Sequence, residues 1–152
     1  MAEAPSQSLL VCAIPQDPGA RTLVYAIRKI AAGGLNDAFA AHAMLALFGS
    51  RSRRPLLLLR ALMAELARAS RRQIVVGPCC CPRATFAEAE LLLIVASACE
   101  RPGFVHGRLC QLLAVEHALG ALSSAQALGQ AFADLGHPLP VHSLGQPAFS
   151  LD

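Results

Sequence analysis

The sequence predicts an all-α fold: a single compact bundle of about six helices with an irregular C-terminal tail. Three observations carry this expectation. Ala and Leu, both strong helix formers, supply most of an apolar fraction of 55%. Apolar residues recur at three- and four-residue spacing in successive segments. Glycines and prolines break the chain at Gly33-Gly34, Gly49, Pro102-Gly103 and Gly136. A length of 152 residues suits one helical domain spanning 1–152, with 1–16 and 137–152 as irregular termini.

Each helix has its own start and stop. Asp17 is the expected cap of the first, with Pro18 in its first turn; Leu23, Ile27 and Ile30 form its apolar face, and Gly33-Gly34 ends it. Asn36 is the expected cap of a second helix over Asp37 to Phe48, stopped by Gly49. The basic loop Arg51-Ser52-Arg53-Arg54 leads into a third and longest helix ending near Arg72. There Leu58, Leu59, Leu62, Met63 and Leu66 fall on one face, and Arg54, Arg60, Arg68, Arg71 and Arg72 on the other. Gln73 to Val76 reads as extended but lacks a partner strand. Thr85 with Glu88 three residues on is a capping-box signature for the fourth helix. A fifth is expected from about Phe104 to Leu119. Gly120 and Ser123-Ser124 should separate it from a sixth over Ala125 to Leu135.

Composition also bounds location and partners. Charged residues make up only 15% of the chain, against roughly 25% in an average domain. So apolar a chain has more nonpolar surface than a monomer of this size hides, which predicts a homo-oligomer or a protein partner. The longest largely apolar run, Leu91 to Cys99, falls far short of the roughly 20 residues that cross a bilayer. The start of the chain lacks the basic leader of a signal peptide. Leu9-Leu10-Val11-Cys12 has the outline of a lipoprotein box without the required context. A cytoplasmic location without membrane contact is expected.

In a reducing compartment, six cysteines do not imply a disulfide framework. Cys12, Cys99 and Cys110 stand among apolar residues and read as small buried hydrophobes. Cys79, Cys80 and Cys81 are adjacent, flanked by Pro78 and Pro82 and followed by Arg83. A helix beginning near Pro82 or Thr85 would place positive charge beside them and favour thiolate, the nucleophilic and metal-binding form. The triplet matches neither C-x-x-C redox spacing nor zinc-site spacing. Three readings stay open: a packed turn, a thiol-reactive site that includes Arg83, and a site for zinc or another soft metal. His106 and Cys110 lie one helical turn apart and could share one ion. His117 falls on the same expected face but about 10 Å further along. Alternatively, these residues edge the core, with each imidazole bonded to a carbonyl or water.

Arginine is unevenly distributed. Between Arg51 and Arg83 there are eight arginines and one acid, Glu65, whereas the rest of the chain is net negative. Such a face could meet an acidic protein or track phosphates, although no aromatic platform or fold signature for nucleic acid accompanies it. It also suits ordinary solvated helix surface. No phosphate loop, H-E-x-x-H, nucleophile elbow or dinucleotide fingerprint occurs. Glu65, Glu88, Glu90 and Glu116 lack the Glu-x-x-His pairs of a diiron bundle. Nothing names an enzyme class.

Several segments together resemble a small family of uncharacterised bacterial proteins. They are Asp17-Pro18-Gly19-Ala20-Arg21, Arg53-Arg54-Pro55-Leu56, the run from Arg60 to Leu66, the cysteine triplet, and Gln130 to Gly136. The resemblance covers most of the chain and implies a bacterial, cytosolic origin without an activity. The expected function is a non-enzymatic, self-associating interaction module. The alternative is a thiol-dependent redox or metal-binding protein using Cys79 to Cys81.

Overall fold

Asp17 caps the first helix, α1 (Pro18–Gly33), as the sequence predicts: its carboxylate accepts the Ala20 amide at 2.9 Å. The structure, a computed structural model, describes residues 10–141. Ala20, Leu23, Val24, Ile27 and Ile30 are buried along one side of α1. Gly34 ends it at φ 96°, a left-handed value open to glycine without a Cβ clash. The second helix, α2 (Ala38–Phe48), is capped by Asp37 rather than Asn36, because the Asp37 carboxylate is the group that accepts the Ala40 amide, at 3.0 Å.

A short 3-10 turn over Gly49–Arg51 leads into α3 (Arg53–Ala69). Leu59, Leu62 and Leu66 are buried and Leu58 and Met63 half-buried, so the predicted apolar face is present. The helix stops three residues before the expected Arg72. The Ser70 hydroxyl donates to the Arg72 carbonyl at 2.6 Å and accepts the Arg72 amide at 3.3 Å, turning the backbone out of the helix.

Among the described residues, helices account for all regular structure except one small sheet. Its strands, β1 (Leu10–Ala13) and β2 (Arg83–Thr85), pair antiparallel, with Cys12 opposite Ala84 and an irregularity between Leu10 and Cys12. Residues 10–13 therefore form a strand where an irregular terminus is expected, and Gln73 to Val76 is not a strand. The pairing joins segments about 70 positions apart, which local periodicity cannot reveal. Residues 137–141 are neither helix nor strand. The expected irregular stretches 1–9 and 142–152 lie outside the described residues.

Thr85 ends β2 and caps α4 (Phe86–Ser97) with the full capping box predicted from Thr85 and Glu88. Leu91 to Val95 are all buried, making α4 the central helix. The next two helices divide differently from expectation: α5 (Pro102–Leu113) is shorter and α6 (Leu119–Asp134) longer. Ala114 takes a left-handed conformation, φ 56°, and its amide closes the end of α5 on the Cys110 and Gln111 carbonyls. Gly120 and Ser123-Ser124 continue inside α6; at Gly120 an added Cβ would stand 2.7 Å from a Glu65 carboxylate oxygen, which would have to swing aside.

α3 packs chiefly on α6 and α1 on α2, with α4 touching α1, α5 and α6. Phe132, fully buried, meets Phe48 edge-on with ring centroids 4.9 Å apart. At Gly129 a Cβ would collide with the Val95 carbonyl oxygen, so α6 lies against α4 backbone to side-chain-free backbone. Gly129→Ala is expected to lower unfolding free energy by about 1–3 kcal/mol, a urea-unfolding readout, because overpacking exceeds the roughly 1 kcal/mol gained in helix propensity. An unchanged midpoint would show that the two helices part at little cost. No helix of the described residues is long and apolar enough to cross a membrane.

Candidate functional site

The cysteine triplet sits in a loop fixed by a buried ion pair that the sequence does not announce. Arg28 projects from α1 and Glu88 from the first turn of α4; both are buried. The guanidinium meets the carboxylate through two bonds, Nε to Oε2 at 2.6 Å and Nη2 to Oε1 at 2.9 Å. Its other hydrogens go to backbone: Nη1 donates to the Pro78 and Cys81 carbonyls at 3.0 and 2.7 Å, and Nη2 to the Arg83 carbonyl at 2.8 Å. Glu88 also accepts the Gly77 amide at 3.0 Å and the Thr85 amide at 2.8 Å. Gly77 leaves the room for this, since a Cβ there would stand 2.9 Å from Arg28 Nη2. One side-chain pair thus ties α1, the whole 77–83 loop and the start of α4 together.

Burial alone would push the Glu88 carboxyl up. The hydrogen bonds from Arg28, Thr85 and Gly77, with the Arg28 charge, outweigh it and hold the group below the usual carboxylate range. The Arg28 guanidinium is correspondingly held more firmly protonated by its bond to Glu88. A faint signal of Arg28 exists in the sequence: an arginine four residues after Val24, beside the apolar face of α1. The capping box locates Glu88, but nothing local says that its carboxylate also meets an arginine sixty positions away.

Cys79 and Cys80 are exposed and Cys81 half-buried; all six cysteines are free thiols. The Cys79 and Cys80 sulfurs are 3.3 Å apart. That hydrogen bond is the main reason the Cys80 thiol is pushed up, and the charge of Lys29 opposes it only in part. The expected lowering of the thiol pKa by a helix start therefore fails at Cys80. α4 begins at Phe86, beyond β2, and Thr85 and Glu88 already engage its first turn. Arg83 reaches the other way, its Nη2 3.5 Å from the Leu10 carbonyl. Cys12, on β1, is half-buried, and burial raises its thiol pKa against the charge of Arg83. The triplet lines a cleft of about 320 Å³ together with Gln16, Arg21 and Tyr25.

His106 and Cys110 do meet, with His106 Nε2 3.6 Å from the Cys110 sulfur. That same nitrogen accepts the Ala118 amide at 3.0 Å, and the thiol donates to the Glu116 carbonyl at 3.4 Å. The pair thereby fastens the turn between α5 and α6. His117 lies in that turn and is exposed, so the expected common helix face with His106 does not form. Among the described residues no three His, Cys, Asp or Glu side chains converge as a metal centre would require.

Of the five expected arginines only Arg54, Arg60 and Arg68 lie on α3. Arg54 pairs with Asp134 on α6 at 2.9 Å, and Arg68 pairs with Glu65 along α3. Arg60 is half-buried with its Nε unpaired, and Arg71 and Arg72 lie past the end of the helix. Exposed large hydrophobics lie at several points, Leu119 on α6 the most accessible at 65%, and two of them, Phe39 and Leu45, share α2. That helix carries no charged residue and buries only Ala40 and Met44. Its exposed residues are Ala38, Phe39, His42, Leu45 and Ala46, with Phe39 60% and Leu45 51% accessible.

No curated protein and no solved structure matches this chain. Residues 2–136 match the family described as "Family of unknown function (DUF6628)", and the chain belongs to that family.

Proposed function

We propose that the protein is a non-enzymatic helical module that works by self-association, with the outer face of α2 as the seam between two copies. The spacing of the exposed residues carries this reading. Ala38, Phe39, Leu45 and Ala46 stand four and three before, and three and four after, His42. All five therefore share one helical face, and their spacing is the same from either end, with Phe39 and Leu45 at equivalent positions. Two copies of α2 crossing antiparallel at His42 would set Phe39 of one against Leu45 of the other, and Ala38 against Ala46. A two-fold interface requires this self-complementarity. The alanines allow close approach, and α2 itself carries no charge; at the edge of the face the Lys29 ammonium sits 4.6 Å from the Phe39 ring centroid. A helix whose only polar side chain is His42 also needs cover.

Analytical ultracentrifugation of the full chain tests the proposal. A concentration-dependent dimer is expected. Leu45→Glu should give monomer that keeps the helical circular dichroism spectrum of the parent, since the residue is exposed. A parent chain that sediments as monomer at every concentration overturns the reading, and so does a Leu45→Glu chain that still dimerises.

A further inference from the structure

We infer that Cys79 and Cys80 form a dithiol site for a trivalent soft metalloid of the arsenic(III) class. Both thiols are exposed and their sulfurs are already 3.3 Å apart. The loop that carries them is held at its two ends, where Arg28 binds the Pro78 carbonyl on one side and the Cys81 and Arg83 carbonyls on the other. Preorganised donors keep the affinity that flexible ones spend on ordering.

Geometry selects among thiol partners. Adjacent residues hold their Cα atoms about 3.8 Å apart across a trans peptide. Ordinary disulfides need roughly 4.4–6.8 Å. A Cys79–Cys80 disulfide is thus strained and easily reduced. Bridging the sulfurs through one added atom enlarges the ring and relieves that strain. Tetrahedral zinc calls for four ligands, and among the described residues no third His, Cys, Asp or Glu joins this pair as a metal site. A linear two-coordinate ion sets its sulfurs on opposite sides, which neighbouring residues in a clamped loop cannot do. A pyramidal trivalent centre takes two sulfurs on one side and keeps a third substituent. The cleft of about 320 Å³ beside the thiols, with Tyr25 on its wall, has room for that substituent.

With an organoarsenic(III) oxide the step balances without oxidant or reductant. Two S–H bonds break and two As–S bonds form. The two protons leave with the oxide oxygen as water, and arsenic stays trivalent.

The test uses the reduced full chain and phenylarsine oxide. One equivalent should remove two titratable thiols and add one phenylarsenic group by intact mass. A dithiol should reverse the adduct and a monothiol should not. Cys79→Ser and Cys80→Ser should each abolish monothiol-resistant capture; both positions are exposed, and circular dichroism checks that each variant folds. Cys12→Ser, Cys99→Ser and Cys110→Ser should leave capture intact. The native chain should bind about tenfold more tightly than the urea-unfolded chain, the benefit of ordering two side chains in advance. Capture that survives Cys79→Ser or Cys80→Ser overturns the inference. Equal affinity in the unfolded chain, or a stable Cys79–Cys80 disulfide formed with oxidised glutathione, overturns it as well.

Discussion

Glu88→Gln is expected to lower the unfolding free energy by about 3–5 kcal/mol, the usual cost of removing one partner from a buried ion pair. Glutamine keeps the volume, so the loss is electrostatic. Every group facing Glu88 is a donor: Arg28 Nε and Nη2, and the Gly77 and Thr85 amides. The amide oxygen of glutamine can accept from one side, but its NH₂ then faces a second donor, and the Arg28 charge is left buried without a counterion. Urea unfolding followed by circular dichroism measures the change; a loss below about 1 kcal/mol would mean that the loop opens and Arg28 reaches water. Replacing both groups, by Arg28→Met with Glu88→Leu, should recover only part of the loss. The Pro78, Cys81 and Arg83 carbonyls and the Gly77 and Thr85 amides would all lose partners. In this respect the pair differs from one that a hydrophobic substitute can replace.

The same pair sets a pH dependence with a definite sign. The Glu88 carboxyl is held below its ordinary value in the folded chain. Its contribution is therefore complete above the unfolded value of about 4.3 and is lost as pH falls through the folded one. Glu90 behaves oppositely. Burial raises its carboxyl, and the charge and hydrogen bond of Arg108, 2.6 Å away, only partly offset this. Protonating Glu90 therefore favours the folded chain as acid is added. The parent should lose stability below pH about 4.3, and Glu88→Gln should flatten that limb.

Phe132→Ala is expected to cost about 3–5 kcal/mol, because the ring is fully buried and its removal leaves a cavity that the surrounding helices cannot close. Phe132 also holds α2 from behind, through the edge-on contact with Phe48 in the last turn of that helix. His137 also meets Phe48 edge-on, with centroids 5.5 Å apart. Phe132→Leu should keep most of the packing and cost less. Thermal unfolding at fixed protein concentration reads both, and an alanine variant within about 1 kcal/mol of the parent would mean that the core refills the space. Since α2 carries the proposed seam, Phe132→Ala should also weaken self-association, whereas Leu45→Glu should abolish association and leave the core packing intact.

Most helices are legible in the sequence because their causes are local. An aspartate three residues before an amide, a Thr-Glu capping box and a glycine past the last turn each act within a few positions, so their spacing is enough to find α1 and the start of α4. The end of α3 and the break between α5 and α6 are less legible. There the stop depends on Ser70 turning back on Arg72 and on Ala114 adopting a left-handed backbone, neither of which residue type demands. Gly120 looks like a break and lies inside α6, and Gly129 proves to be a point of close contact with α4.

The order of helices, the apolar face of α3 and the membership of the chain in an all-helical class follow from residue type and period alone. Which thiols stand together, where the arginines end and which face stays bare were decided only when distant segments met. The pairing of Arg28 with Glu88 is the clearest instance: a buried charge needs a counterion, but any of several acids would serve, and only the packing of α1 against α4 selects one. Bare apolar surface on α2 is likewise a remainder, what is left once the other helices have covered one another.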